Sequence, residues 1–535
     1  MGSNGESSLL ARSAGLAGAA TLLSRVLGLA RDTVLAALFG AGNEMDAFNV
    51  AFRIPNLVRD LFAEGAMSAA FVPAFTRHLT LGGKADAWRL GNHVINALAL
   101  ATGALVVLAM VFARPLVTAY AGDYAAVPGK LELTIHLTRA MLPFLTLAAL
   151  AAAVMGMLNS LHHYFIPALA PAAFNITTIV CALALGPVMQ SLGWPAIMAV
   201  AIGALAGGVG QIALQWPALA REGFRYRPHL DVRDPALYQV LMLMGPGTVG
   251  LAATQVNLFV NTLLATSQGT GAASWLTYAF RLMYLPIGLF GVSIATAVLP
   301  AAARHAALDD TQAIRDTVSR GLALMLMLNV PATLGLAVLA TPIVRLLFER
   351  GQFLPGDTAA TAAAVQCYAV GLVGYSTARI ASPVFYALGG SRVPVAVSIS
   401  SMAVNVVASL WLVTSLGFRG LALGTSLAAL ANGGFLIVLL RRRLAGIGGA
   451  RLAGASAKVG AASLTMAASA WYVERSLAGV APGGGTLVQA LRLGAAIGAG
   501  IATLAASAKL LRLREFDEAL DLARDGARRF FAPQL

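Results

Sequence analysis

Charged residues are scarce in this sequence, and that scarcity excludes an ordinary soluble protein. Only 11% of its 535 residues are charged, whereas about 25% is usual for a soluble domain. Hydrophobic residues make up 58% of the chain, and the mean hydropathy is +0.76. The alternating segments of about ten residues that mark membrane β-strands are also missing. The composition therefore predicts an all-α polytopic membrane protein.

Cysteine is rare as well, and no catalytic or metal-binding motif occurs. The two cysteines, Cys181 and Cys367, fall in apolar segments without the spacing of metal ligands. The sequence has no HExxH, GxSxG or P-loop motif. Asp309 and Asp310 fit a solvated helix cap better than a catalytic pair. We therefore predict that the protein is not an enzyme and holds no metal.

Fourteen apolar segments are candidates for membrane spans, which need about 20 residues each. Their centres lie near residues 25, 60, 100, 145, 177, 205, 250, 288, 330, 370, 404, 430, 466 and 500. Most surplus Lys and Arg lie in loops on one side and in the C-terminal tail, so the net charge of +14 requires no nucleic-acid partner. By the positive-inside rule, this bias places both termini in the cytoplasm.

Short motifs recur about 227 residues apart, which indicates an internal repeat. The matching prolines are Pro73 with Pro300, Pro115 with Pro342, and Pro167 with Pro394. Six spans per copy give both copies the same orientation, so we expect two lobes related by a pseudo-twofold axis along the membrane normal. The predicted domains are an N-lobe of helices 1–6 at 1–222, a C-lobe of helices 7–12 at 223–445, and helices 13–14 with a cytoplasmic tail at 446–535.

Charged side chains interrupt the first two spans, where an ionised group costs roughly 2.5 to 3.5 kcal/mol on insertion scales. In the first span Arg25 and Asp32 share one helical face, and Arg31 lies on the adjacent strip. A second polar stripe, in the next span, contains Arg53, Asn56, Asp60 and Glu64.

Two interpretations of these charges remain open. In the first, Arg25 with Asp32 and Arg53 with Asp60 are ion pairs that only hold helices together. In the second, surplus arginines line a polar cavity, because spans 1, 2 and 8 contribute more Arg than Asp and Glu. The planar guanidinium of arginine suits phosphate. The second interpretation predicts a basic cavity for an anionic ligand.

Four motifs in the first two spans carry a family resemblance. They are 24–32 (SRVLGLARD), 46–48 (DAF), 52–57 (FRIPNL) and 61–73, which contains LFAEGA and AFVP. They are similar to the MurJ (MviN) lipid II flippases of the multidrug/oligosaccharidyl-lipid/polysaccharide exporter superfamily. Arg281 and the residues after it in the eighth span fit the same family.

The resemblance implies a lipid II flippase that moves undecaprenyl-diphosphate-linked peptidoglycan precursor from the inner to the outer leaflet of the bacterial cytoplasmic membrane. It implies alternating access, with a lipid-accessible groove at the two extra helices. It makes Arg31, Asp32 and Arg281 the diphosphate-binding core. With the other charged residues of these spans, the expected substrate-binding set is Arg25, Arg31, Asp32, Asp46, Arg53, Arg59, Glu64 and Arg281.

The expected partners are lipid II, the membrane and the cell-wall synthesis machinery, without a cofactor. A dependence on chloride or on the membrane potential is expected. Some relatives bind sodium through carboxylates on spans 7 and 11, but this chain has Asn257, Asn261 and Asn405 there. From the residues alone, these amides fit polar contacts between helices or part of a cation site. Because neither span has a carboxylate, we do not expect a sodium site.

Three alternative functions compete with this expectation. A relative could move another polyprenyl-linked saccharide or a cationic drug, and an integral-membrane enzyme could act on the same lipid. A drug exporter should have an acidic or aromatic cavity, whereas the predicted cavity is basic. The enzyme would need catalytic groups in its loops, which are short here.

Overall fold

The computed structural model describes residues 3–60, 67, 70–231, 233–288, 292–480 and 485–531. Within these ranges the chain forms nineteen α-helices and no β-strand. It divides into two compact units, Met1–Ser274 and Trp275–Leu535. The helices α1 to α9 are Ser3–Phe39, Asn43–Arg59, Val72–Val111, Ala113–Ala121, Lys130–Met141, Phe144–Ser160, Phe165–Ser191, Met198–Arg221 and Pro235–Thr266. The helices α10 to α19 are Ala272–Pro286, Val292–Ala307, Thr311–Phe348, Pro355–Ala369, Leu372–Ala387, Arg392–Leu416, Phe418–Arg443, Gly449–Val480, Thr486–Leu510 and Arg514–Phe531.

In the first unit, α3 and α6 pack around a buried aromatic cluster. Phe71 and Phe75 are fully buried with Met157 of α6, and Phe224 closes the cluster after α8. Elsewhere in this unit α1 packs on α7, α7 on α8, and α2 on α5. Local sequence signals set the ends of helices. For example, Asp234 caps α9 by accepting a hydrogen bond from the backbone N–H of Ala236.

In the second unit, the main apolar cluster joins α11, α12, α14, α15 and α16. Val298, Val318, Ile380 and Leu436 are among its buried members. A separate part of this unit is formed by α12, α17 and α18, which pack against one another. Asp310 caps α12 through the backbone N–H of Ala313.

Corresponding helices of the two units begin about 227 residues apart, as the repeated motifs predict. α7 begins at Phe165 and α15 at Arg392, 227 residues later. The same pairs pack in both units: α7 on α8 matches α15 on α16, and α3 on α6 matches α12 on α14. A kink at Gly83 in α3 (φ 74°) matches the break between α11 and α12.

Eight helical segments of the described chain are long and apolar enough to cross a membrane, which makes the protein a multi-pass membrane protein. They are Val72–Val111, Lys130–Ser160, Phe165–Ser191, Met198–Arg221, Thr311–Phe348, Arg392–Leu416, Phe418–Arg443 and Thr486–Leu510. The total of fourteen spans, the pseudo-twofold axis and the three domains stay predictions. The basic segment that contains Arg77 and Arg89 belongs to α3, which begins at Val72 and extends through both residues before its apolar part.

Candidate functional site

The charged stripe on α1 contains one ion pair, between Arg31 and Asp32, and one arginine, Arg25, without an acidic partner in the described part of the chain. Arg31 Nη2 and Nε donate to Asp32 Oδ1 at 2.7 and 3.1 Å, and the two side chains are only 13% and 9% exposed. Arg25 is partly buried and forms no ion pair with any residue that the structure describes. Asp32 therefore pairs with its neighbour in sequence rather than with Arg25, the partner that the purely structural interpretation named.

The same arrangement recurs at the end of α2. Arg59 Nη2 and Nε donate to Asp60 Oδ1 at 2.7 and 3.1 Å, with 34% and 23% side-chain exposure. Here too, Asp60 pairs with its preceding arginine rather than with Arg53, which is partly buried on α2. Glu64 lies outside the described residues.

Asp46 has a different environment from the other predicted site residues, because it is completely buried at the start of α2. Lys130 Nζ donates to its Oδ2 at 2.8 Å. The backbone N–H groups of Gly271 and Ser274, at the start of α10, donate at 2.7 and 3.0 Å, and the Ser274 hydroxyl donates at 2.7 Å. All these donors are protein groups, so in this conformation Asp46 holds helices together and does not face a ligand. Its expected part in substrate binding stays a prediction.

Lys130 is the residue of this site that sequence reasoning missed. It begins α5, its side chain is 1% exposed, and its ammonium lies 4.0 Å from the centroid of the Tyr124 ring. One signal could have revealed it: Lys130 is a basic residue on the side that the charge bias leaves poor in Lys and Arg. A lysine there requires a specific partner.

In the second unit, α10 presents Arg281 on its exposed surface. Tyr284 follows one helical turn later, so both side chains lie on the same side of α10. Arg379 of α14 donates to the Tyr284 hydroxyl at 2.5 Å, and its guanidinium lies 5.6 Å from the Tyr284 ring centroid. A second arginine, Arg379, therefore contacts α10 at Tyr284, one helical turn from Arg281.

Most charged residues of the predicted site are arginines, and guanidinium groups can bind and orient an anion. The described residues contain no group of three or more His, Cys, Asp or Glu side chains that could hold a metal ion. Asn405 on α15 is 1% exposed and accepts a hydrogen bond from the Ser409 hydroxyl of the same helix at 2.8 Å.

An all-helical, multi-pass fold that carries arginines along its helices fits the class of membrane transporters. The family model described as "Lipid II flippase MurJ" matches residues 35–483 of this chain. The chain therefore belongs to the MurJ family of lipid II flippases.

Several relatives have the same description. The chain is 35% identical over 437 residues to "Probable lipid II flippase MurJ" of Vibrio cholerae, covering 79% of this chain and 81% of the relative. It is 34% identical to "Lipid II flippase MurJ" of Burkholderia cenocepacia, covering 79% and 82%. A solved structure, "Lipid II flippase MurJ, inward closed conformation", matches with a TM-score of 0.75 and 25% identity, covering 92% and 98%.

A more distant structure shares the fold. An inward-facing multidrug resistance MATE family transporter of the MOP superfamily matches with a TM-score of 0.67 at 16% identity. It covers 79% of this chain and 94% of that chain. At that identity the likeness concerns the fold alone.

Proposed function

We propose that this protein is a lipid II flippase, which moves undecaprenyl-diphosphate-linked peptidoglycan precursor from the inner to the outer leaflet by alternating access. The observation that carries this proposal is the family match over residues 35–483. Within that range the helices bear arginines in apolar surroundings. Moving a lipid across the membrane requires binding and release, and it requires no covalent step.

The diphosphate would bind where arginines replace its hydration shell. Arg25 offers a guanidinium without a carboxylate partner among the described residues. Arg31 is already oriented by Asp32 through Nε and Nη2, the atoms that also form a fork toward phosphate. A phosphate oxygen that displaced Asp32 would therefore meet a preorganised donor pair. The expected substrate-binding set also includes Arg53 on α2 and Arg281 on α10.

The remaining features of the proposal concern topology and energy. Both termini lie in the cytoplasm of a bacterial cell, and the protein is in its cytoplasmic membrane. The lobes are 1–222 and 223–445, with helices 13–14 at 446–535. Transport depends on chloride or on the membrane potential and uses no sodium site, and the cell-wall synthesis machinery is a partner.

The experiment that tests the function measures lipid II in each leaflet of cells depleted of this protein. A lipid II-cleaving reagent added from outside should lose access to its substrate during depletion and regain it when the wild-type gene is restored. Unchanged outer-leaflet lipid II after complete depletion would contradict the proposal.

A further inference from the structure

Three helices of the second unit form a separate bundle with an apolar cluster at each end. At one end Met327 of α12 packs with Val459 of α17 and Ala508 of α18. At the other end Leu339 packs with Ala470 and Leu493 of the same three helices. The helices α12 and α17 therefore run in the same direction, and α18 runs against them.

Charged residues mark both ends of this bundle, and none lies between them. The charge-free stretches are 321–344 in α12, 459–473 in α17 and 493–508 in α18. The stretch in α17 has 15 residues, which span about 22 Å at 1.5 Å per residue. That length approaches the hydrocarbon thickness of about 30 Å, so the flanking charges lie at the level of lipid head groups.

The end at Leu339 carries four arginines and two glutamates. Arg492 Nη2 donates to Glu474 at 2.7 Å, joining α17 to α18. Arg345 Nε lies 3.4 Å from Glu349 on α12. The other two arginines, Arg350 and Arg475, are exposed and have no acidic partner among the described residues.

The surroundings of the two unpaired arginines suit a lipid head group. The Arg475 guanidinium lies 5.4 Å from the centroid of the Trp471 ring. Trp471 and Tyr472 are both exposed, as aromatic residues are at membrane interfaces. Arg350 donates to the carbonyl of Leu346, which belongs to the same apolar cluster. Both positive charges are therefore fixed at the edge of a lipid-facing surface.

From this geometry we propose a lipid-phosphate site at the Leu339 end of the α12–α17–α18 bundle, with Arg350 and Arg475 as its anion-binding residues. Two paired arginines, Arg345 and Arg492, orient the bundle around it. In the proposed topology this end faces the outer leaflet, where the positive-inside rule disfavours arginine. The two arginines that have no acidic partner within the described ranges therefore call for a local anion at this place. That anion is the phosphate of an anionic phospholipid or the diphosphate of a polyprenyl lipid.

The test measures lipid retention by the purified full-length protein with native mass spectrometry. The first arm titrates phosphatidylglycerol, with diacylglycerol as the lipid that lacks phosphate. The second arm titrates undecaprenyl diphosphate in an Arg31→Ala/Arg281→Ala background, so that the predicted core site does not contribute. Arg475→Gln and Arg350→Gln should each weaken retention about tenfold, as loss of one charge-assisted hydrogen bond does.

The matched control is Arg419→Gln, which removes another exposed arginine of the second unit outside this bundle. It should retain lipid like the wild type. Stronger retention in the first arm identifies phospholipid as the source, and stronger retention in the second identifies the polyprenyl diphosphate. Retention that is unchanged in both Arg475→Gln and Arg350→Gln would overturn the site, as would an equal loss in Arg419→Gln. Lipid retention is measured without any transport assay. The lipid-phosphate site can therefore be disproved while the flippase function holds, and the reverse is also possible.

Discussion

The ammonium of Lys130 lies 2.8 Å from the carboxylate of Asp46, and these side chains are 1% and 0% exposed. Removing two charges from water is costly, and their attraction compensates only when the remaining hydrogen-bonding positions are filled. Here Gly271 and Ser274 supply those hydrogen bonds. The pair therefore joins the starts of α2, α5 and α10, and its two charges depend on each other.

The first prediction follows from that dependence. Lys130→Met should destabilise the protein by about 3–5 kcal/mol, because it leaves the Asp46 carboxylate buried without its counter-charge. The measurement is the unfolding temperature of the purified protein in detergent.

Two further variants control this prediction. Lys130→Met combined with Asp46→Asn should recover part of the loss, because no unpaired charge is then buried. Lys84→Met removes a lysine whose side chain is 56% exposed in its pair with Glu222 and should cost less than about 1 kcal/mol. If Lys130→Met unfolded at the wild-type temperature, the pair would not be a stabilising element.

The second prediction concerns the diphosphate-binding core. Arg31→Ala or Arg281→Ala should abolish growth of a strain depleted of the chromosomal protein, because neutral side chains leave the diphosphate without its positive partners. Membrane insertion, followed by immunoblotting of membrane fractions, should stay normal. Arg304→Ala, which removes an exposed arginine at the end of α11, should complement fully. Full complementation by either core variant would remove that arginine from the site.

The sequence predicted the all-helical, multi-pass class of the fold, because composition and periodicity carry that information over many residues. The repeat offset of 227 residues predicted the matching starts of α7 and α15. Ion-pair partners could not be predicted in the same way. Helical spacing allowed Arg25 with Asp32, but the side chain of Arg31 turns back onto its neighbour instead.

Long-range contacts were harder still to predict. Lys130 lies 84 residues from Asp46, and only the folded chain brings them together. A single lysine has no periodic pattern, so its role depends entirely on tertiary structure.

The third prediction is a pH effect outside the membrane-spanning helices. Hydrogen bonds from Lys84 and His163 lower the pKa of the Glu222 carboxyl below its ordinary value of 4.5. The folded state therefore binds a proton less readily than the unfolded state. These contacts should stabilise the protein fully above about pH 4.5, and the effect should fade as the pH falls through the lowered pKa.

Unfolding temperatures measured between pH 3 and pH 7 can check this effect, with Glu222→Gln for comparison. The variant should be less stable than the wild type at pH 7, and the difference should shrink below about pH 4.5. A difference that stayed constant over the whole range would show that ionisation of Glu222 has no part in it.

The fourth prediction concerns the crossing of α14 and α16, where two glycines allow the backbones to touch. A Cβ atom on Gly374 would lie 2.4 Å from the carbonyl of Ala429, and one on Gly433 would lie 2.9 Å from the carbonyl oxygen of Gly374. These neighbours are backbone atoms, which side-chain rotation does not move. Gly374→Ala should therefore separate the helices and destabilise the second unit by about 1–3 kcal/mol or more.

The neighbouring Gly434 provides the matched control, since nothing lies within 4 Å of a Cβ atom placed there. Gly434→Ala makes the same chemical change in α16 and should be neutral or stabilising, because alanine favours a helix by up to about 1 kcal/mol over glycine. Unfolding temperatures of the two variants in the same detergent separate the cost of disturbed helix packing in Gly374→Ala from the gain in helix propensity in Gly434→Ala. Equal stability of Gly374→Ala and Gly434→Ala would mean that the close crossing is not required, because the helices could then separate without loss.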